Sequence, residues 1–489
     1  MSLNLNSCAV EAPPQSRFRQ NYIPENSIID SDSDSSWYDQ YSLTRLMTTG
    51  DVPIPITLVH NKDVNPDKNW KSGQKTGRAG QSGQESGQGH HPVPVPVPVP
   101  VLLIGYGSYG QPLSLEFRAE LIYLLQQNWI IAYAHVRGGG EGGSEWHRSG
   151  KSDKKLSTFD DYYACGCHLI ELGITSTGLL CGEGCSAGGL IMGVMANNAL
   201  KWTGQTGRTE YIEKIEKTNN TGIDIDSDSD IDSRPNIFAS LLFRNPFLNV
   251  YENMLVHMNT NTKLKNDLNI HVVGEDGSDT SGPRDTNNSS DSGDNGLGLQ
   301  YVEQLIMHEE DEWGSGSGPG SVLDADTHRH GHGSRHGRAM EVIKSYCPLY
   351  NIQQICLENN TGTGTSIGTG TGASASSGTG TGTINNVSFP SIYMSVCEFD
   401  NKTSANDAYS YLHCYESRVK QLQKSIPIPN SKSTGTGRKV EYILNIVSSG
   451  DHQGAATVSD QISESAKEIS FLLNSIKLLN NNFKGIWIK

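Results

Sequence analysis

The 489-residue chain is predicted to be an α/β protein with a mainly parallel sheet and helices on both faces. Three features carry this. Short apolar runs of strand length alternate with segments of helical spacing. Several of the runs end in glycines, where the chain must turn sharply. One run, Leu179–Gly182, leads straight into Gly184-Cys185-Ser186-Ala187-Gly188-Gly189 and then into a helical segment.

In chain order, Val99–Ile104 is an apolar run closing in glycines, which suits a buried strand. Ala119–Gln126 has helical spacing, and Trp129–Val136 repeats the buried-strand pattern with glycines behind it. Phe159–Leu172 reads as an amphipathic helix, Leu179–Gly182 as a short strand and Ala187–Ala196 as a helix. Phe238–Leu242, Ile392–Val396 and Val440–Val447 are further strands, and Tyr411–Leu422 and Ile462–Leu479 further helices. Repeated alternation of this kind argues for parallel strands joined by crossover helices.

Composition bounds the rest. There are 53 glycines and 20 prolines, and only 35% of residues are hydrophobic. The excess sits in low-complexity stretches near residues 71–89, 204–233, 274–296, 314–338, 359–386 and 427–438. These offer too little apolar area to offset chain entropy and are expected to be disordered insertions between elements. The expected organisation is a poorly ordered segment over 1–45, too short for a β-propeller, followed by one large domain over 46–489. Lys and Arg number 38 against 53 Asp and Glu, a net charge of −15. Such a chain lacks the basic surface that nucleic acid requires. No stretch approaches about 18 consecutive apolar residues, so no membrane span is expected. The start, MSLNLNSCAV, lacks the basic-then-apolar pattern of a secretory leader, and the nine irregularly spaced cysteines read as reduced thiols. A cytoplasmic location is the expectation. The oligomeric state is left open. His328, His330, His332 and His336 could hold a metal loosely, but no metal or cofactor is expected.

Chemistry is concentrated in a few places. The pattern around Ser186 is a nucleophile elbow, in which a tight strand-to-helix turn needs glycine at its flanks and lifts the serine hydroxyl above the sheet. A second match, Gly364-Thr365-Ser366-Ile367-Gly368, lies in a Thr/Gly tract without strand or helix around it and is set aside. Cys185 is the adjacent alternative nucleophile, but the residue before the serine points away from the apex of such a turn. A serine needs a base, and the base an orienting carboxylate. Asp400 follows the strand ending at Phe399, and His452 lies in the loop after the strand ending near Val447. Both stand at carboxyl ends of strands, where sites form in open α/β sheets. Gly105-Tyr106-Gly107-Ser108-Tyr109-Gly110 matches a dinucleotide fingerprint. The next strand, however, ends in Ala134-His135-Val136-Arg137, with no acidic residue for a ribose. The Gly-rich turn after His135 could bind an anion or simply cross close to the sheet.

Taken together, GYGSYG, HVRGGGEGGSEWHRSGK, the Thr158–Tyr162 helix start and GCSAGG resemble the catalytic domain of the prolyl oligopeptidase family, and within it oligopeptidase B. Pro235–Phe238, Asn245-Pro246-Phe247, Glu312-Trp313-Gly314, Lys344–Pro348, Asp400 and His452 extend the resemblance in the same order, and Arg45–Val59 resembles the strands leading into that domain. The resemblance implies an α/β-hydrolase fold and a serine peptidase acting on short peptides. Ser186 would be the nucleophile, His452 the base and Asp400 its carboxylate. The Ala187 N–H and the Tyr106 hydroxyl would form the oxyanion hole. Glu309 and Asp311 match the acidic positions that receive a basic P1 side chain, and Glu116 matches one further acidic position whose companion here is Ser114. Two other functions stay open: a carboxylesterase or lipase with the same triad, and a catalytically inactive remnant serving as a binding module.

Overall fold

The computed structural model describes residues 40–64, 97–116, 118–201, 234–256, 308–314, 333–360, 389–425 and 440–477. The chain divides into Met1–Gln40 and Tyr41–Lys489, and every element below belongs to the second unit. The low-complexity stretches named above lie largely outside the described residues, as do His328, His330, His332 and the second GxSxG match.

Eight strands form one sheet: β1 (Tyr41–Met47), β2 (Pro55–Asn61), β3 (Val101–Gly105), β4 (Ile130–Ala134), β5 (Leu180–Cys185), β6 (Ser240–Arg244), β7 (Ser391–Cys397) and β8 (Tyr442–Val447). Their order is β1-β2-β4-β3-β5-β6-β7-β8. β1 and β2 pair antiparallel, β2 meets β4 antiparallel, and every later pairing is parallel. This is the mainly parallel sheet of an α/β-hydrolase fold.

β3 and β4 are buried at every residue, because side chains of both parities meet helices. On one face Leu103, Ala132, Leu180, Phe243 and Met394 pack with Phe159 and Tyr162 of α3 (Leu156–Glu171) and Leu190 and Val194 of α4 (Gly188–Lys201). On the other face Leu102, Ile131, Cys181, Leu242 and Tyr393 pack with Leu121 and Leu124 of α1 (Ala119–Gln126) and Phe471 and Leu472 of α8 (Val458–Lys477). The remaining helices are α2 (Ser144–Arg148), α5 (Gly333–Tyr346), α6 (Pro348–Asn360) and α7 (Ala405–Ser425). Among the described residues no helix is long and apolar enough to cross a membrane.

The expected elements form, with shifts that have local causes. β6 starts at Ser240 rather than Phe238, because the Asn236 side chain binds both the N–H and the carbonyl of Phe238 and withholds them from the ladder. β1 begins at Tyr41, inside the segment expected to be poorly ordered. It is an edge strand with one half-solvated face, so its sequence reads as polar. α5 begins at Gly333, inside the 314–338 stretch, whose Gly, Ser and His content hides it. The buried Ile343 and Tyr346 anchor its later turns. Pro348 then opens α6, where a missing N–H costs nothing.

Five of the six parallel strands, β3, β5, β6, β7 and β8, carry the candidate residues past their carboxyl ends, on one edge of the sheet. Tyr106, Ser186, Asn245, Asp400 and His452 follow those ends in turn. Since this placement depends on the central strands, Leu103→Ala should lower unfolding free energy by about 2–5 kcal/mol in urea titrations. Leu43→Ala, 70% exposed on the edge strand, should stay within about 0.5 kcal/mol of the parent.

Candidate active site

Ser186 adopts φ 52°, a left-handed conformation rarely held by a side-chain-bearing residue. Its neighbours make this turn possible. A Cβ on Gly184 would sit 2.2 Å from the Gly188 carbonyl oxygen, and one on Gly188 would sit 2.5 Å from that of Gly105. Neither position can carry a side chain without moving backbone. The turn is held from the neighbouring strand as well: the Ser186 N–H donates to the Arg244 carbonyl (2.9 Å), and the Phe247 N–H donates to the Ser186 carbonyl (2.9 Å).

The serine hydroxyl meets His452. Ser186 Oγ lies 2.8 Å from His452 Nε2, and His452 Nδ1 lies 2.8 Å from Asp400 Oδ2. The carboxylate can only accept, so Nδ1 carries the proton and Nε2 is left free to take one from the serine. Asp400 is well held. Its Oδ1 accepts from the N–H groups of Lys402 (2.8 Å) and Thr403 (3.0 Å), and its Oδ2 also accepts from Thr403 Oγ1 (2.5 Å). Burial pushes this carboxyl up, but those donors and His452 outweigh it and leave it below the ordinary range. His452 rides on a tight loop closed by Asp451 and Gly454, whose N–H groups each donate to the other's carbonyl.

Tyr106 follows β3, and its phenol interacts with the Ser186 side chain. Burial, then Cys185 and Glu312, pushes that phenol up to about 12, so it remains a donor at neutral pH. The Ala187 N–H donates to no backbone carbonyl among the described residues. Cys185 is exposed at the residue level, yet its thiol is pushed up, by desolvation first and against the opposing pull of Arg244.

The Gly-rich loop after β3 is occupied by the protein's own cation. Lys155, fully buried, donates from Nζ to the Gly107 carbonyl (2.7 Å), Ser108 Oγ (2.7 Å) and Glu312 Oε1 (3.1 Å), with the Trp313 ring 4.9 Å away. His147 Nε2 is 2.7 Å from the other Glu312 oxygen. Burial raises the Glu312 carboxyl, and Lys155 and His147 bring it below its usual value. The Arg137 turn is likewise filled: its guanidinium grips Asp161 at 2.8 and 2.6 Å. It is a tight crossing loop with its charge spent internally.

The residues expected at the substrate pocket are found in a helical turn over 308–313 and in the loop before α1. Glu309 accepts from Tyr109 Oη (3.0 Å) and Trp313 Nε1 (2.8 Å). Asp311 is exposed and pairs with Lys151 Nζ at 2.6 Å. Glu116 is exposed, its N–H donating to Ser114 Oγ. Glu310 and Glu312, the other two acids of the run, are buried, Glu312 almost completely.

Residues 115–202 match the family model described as Prolyl oligopeptidase family. In that stretch the chain is similar to the prolyl oligopeptidase family. A prolyl endopeptidase-like protein of Xenopus laevis is 43% identical over 94 residues, which is 19% of this chain and 13% of that protein. Its counterpart in Gallus gallus is 22% identical over 374 residues, 76% of this chain and 32% of the relative. The chain therefore spans only a minor part of the length of these family members. Among solved structures, oligopeptidase B from Leishmania major is similar at a TM-score of 0.49 and 18% identity, covering 90% of this chain and 37% of that one.

A second set of charges lies beneath the elbow and was not visible in the sequence. Glu183 on β5 accepts from Arg118 (2.8 Å) and stands 3.6 Å from Arg244, while Arg244 grips Glu468 of α8 at 3.1 and 2.5 Å. Burial pushes the Glu468 carboxyl up to about 7; Arg244 opposes this, and Glu183 and Glu464 reinforce it. A carboxyl raised on folding stabilises while it is protonated and loses that contribution as pH rises from its ordinary value of 4.5 through about 7. The thermal midpoint of the parent should therefore fall, relative to that of Glu468→Gln, as pH is raised across that window. Parallel midpoint curves would contradict this.

Proposed function

We propose that the chain is a serine-type peptidase that hydrolyses peptide bonds in short peptides through Ser186, His452 and Asp400. The observation that carries this is the unbroken path from hydroxyl to imidazole to carboxylate, two contacts of 2.8 Å at the carboxyl edge of a parallel sheet. In this reading Ser186 Oγ attacks the scissile carbonyl carbon as its proton passes to His452 Nε2. Asp400 holds the imidazole and stabilises the imidazolium. The tetrahedral oxyanion accepts from the Ala187 N–H and the Tyr106 hydroxyl, each donor worth about 3–4 kcal/mol when aligned. His452 then protonates the leaving amine, and water attacks the acyl-enzyme by the reverse path.

A basic P1 residue is the substrate class this reading favours. Glu309 and Asp311 are its acidic contacts and Glu116 a more distant one. Lys151 already engages Asp311, so a substrate guanidinium competes with it for that carboxylate.

Treatment with a fluorophosphonate probe should label the parent on one serine, and Ser186→Ala should take no label. Labelling that persists in the variant rejects Ser186. The substrate class is checked by comparing an Arg-amide peptide with a short acyl ester. Turnover of the amide is expected. Rapid ester cleavage without amide turnover would mean a carboxylesterase, and a folded parent inert to every serine probe would mean a binding module.

A further inference from the structure

The residue after β6, Asn245, touches more of the site than any mechanism so far requires. Its backbone is left-handed, with φ 40°, which asparagine tolerates better than most residues. Its N–H donates to the Ser395 carbonyl at 2.7 Å. Its Oδ1 accepts from the Cys397 N–H at 2.8 Å, which ties it to the end of β7, three residues before Asp400. The amide nitrogen then faces the loop that carries the histidine. Nδ2 donates to the His452 carbonyl at 3.2 Å and lies 3.4 Å from that of Asp451, with Cys397 Sγ at 3.8 Å. The Cys397 N–H can only donate, so oxygen must face β7 and the NH2 group must face the histidine loop. The side chain is buried.

Arg244 just before it and Phe247 two residues after it clamp the serine. Arg244 supplies the carbonyl that holds the Ser186 N–H, and Phe247 supplies the N–H that holds the Ser186 carbonyl. One short segment therefore grips the main chain of all three elements whose side chains must meet. We propose that Asn245 is a positioning residue that sets the distance between Ser186 Oγ and His452 Nε2, by holding the histidine loop's own main chain. The inference rests on the triad reading above. Asn245 touches neither substrate nor the reacting atoms. A loop shift of about 1 Å is enough to cost on the order of a hundredfold in rate.

The rival role is a plain tie between β6 and β7, for which only Oδ1 matters. Two full-length variants separate them. Asn245→Ala removes both ends of the amide. Asn245→Asp keeps an acceptor for the Cys397 N–H and replaces the donor that faces His452. Both variants should lower kcat on a peptide amide by about ten- to a hundredfold with KM nearly unchanged, label with fluorophosphonate to full stoichiometry but correspondingly slowly, and shift the downfield imidazole N–H resonance of His452. If Asn245→Asp restores the parental kcat and labelling rate, the strand tie alone matters and the proposal falls. It falls equally if the loss appears in KM. Should Asn245→Ala fail to fold, the Asp variant decides alone. A parent that takes no label removes the triad reading and this proposal together. A labelled parent with fast-labelling Asn245→Asp removes only the proposal.

Discussion

The site depends on a strained serine held from both sides. A side-chain-bearing residue at φ 52° costs roughly 1–3 kcal/mol and persists only when its surroundings over-determine it. Here they do. Bare backbone at Gly184 and Gly188 leaves the turn room, and hydrogen bonds from the Arg244–Phe247 segment fix the Ser186 peptide groups on either side. The strain has a use: it lifts the hydroxyl away from the sheet and toward His452, and it starts α4 directly behind the serine. With the N–H groups of that first turn aimed at the apex, negative charge forming there is favoured.

Around this turn the protein has buried charges that do little for net stability. The Lys155–Glu312 pair and the Arg118–Glu183–Arg244–Glu468 set each lose hydration that mutual attraction only partly returns. Their value is geometric. Lys155 fastens the Gly107 carbonyl and the Ser108 hydroxyl, next to Tyr106, to the 308–313 turn. Arg244 joins α8 to the strand whose last carbonyl holds the serine. A hydrophobic pair of equal volume would pack as well but would not select one register.

The sequence exposed the architecture because the central strands are apolar at both parities and because glycines mark their ends. It exposed Ser186 because an elbow demands glycine at fixed offsets, and Asp400 and His452 because they follow strands in the expected order. It did not expose Lys155, whose burial comes from three acceptors brought together by the fold across more than a hundred residues. Nor did it single out Glu312 from its acidic neighbours. In a four-residue acidic run, only the turn over 308–313 decides that Glu310 and Glu312 are buried while Asp311 is exposed. Asn245 was noticed as part of a resemblance, yet its two-sided amide contact has no signature along the chain. Polar residues that act through main chain elsewhere leave no pattern in spacing or composition.

The same contrast explains how a chain with so much low-complexity sequence can hold a three-residue site. Ser186 and His452 are 266 positions apart, and the intervening elements are separated by residues 202–233, 257–307, 315–332, 361–388 and 426–439. Each of these stretches falls between described elements rather than within one. The entropy of closing a loop grows only as the logarithm of its length, so doubling a connection costs about 0.6 kcal/mol. A residue inserted within β5 or β7, by contrast, would turn every later side chain of that strand to the opposite face. Length is therefore cheap between strands and prohibitive within them. The site keeps its geometry because its parts are measured from strand ends, not along the chain.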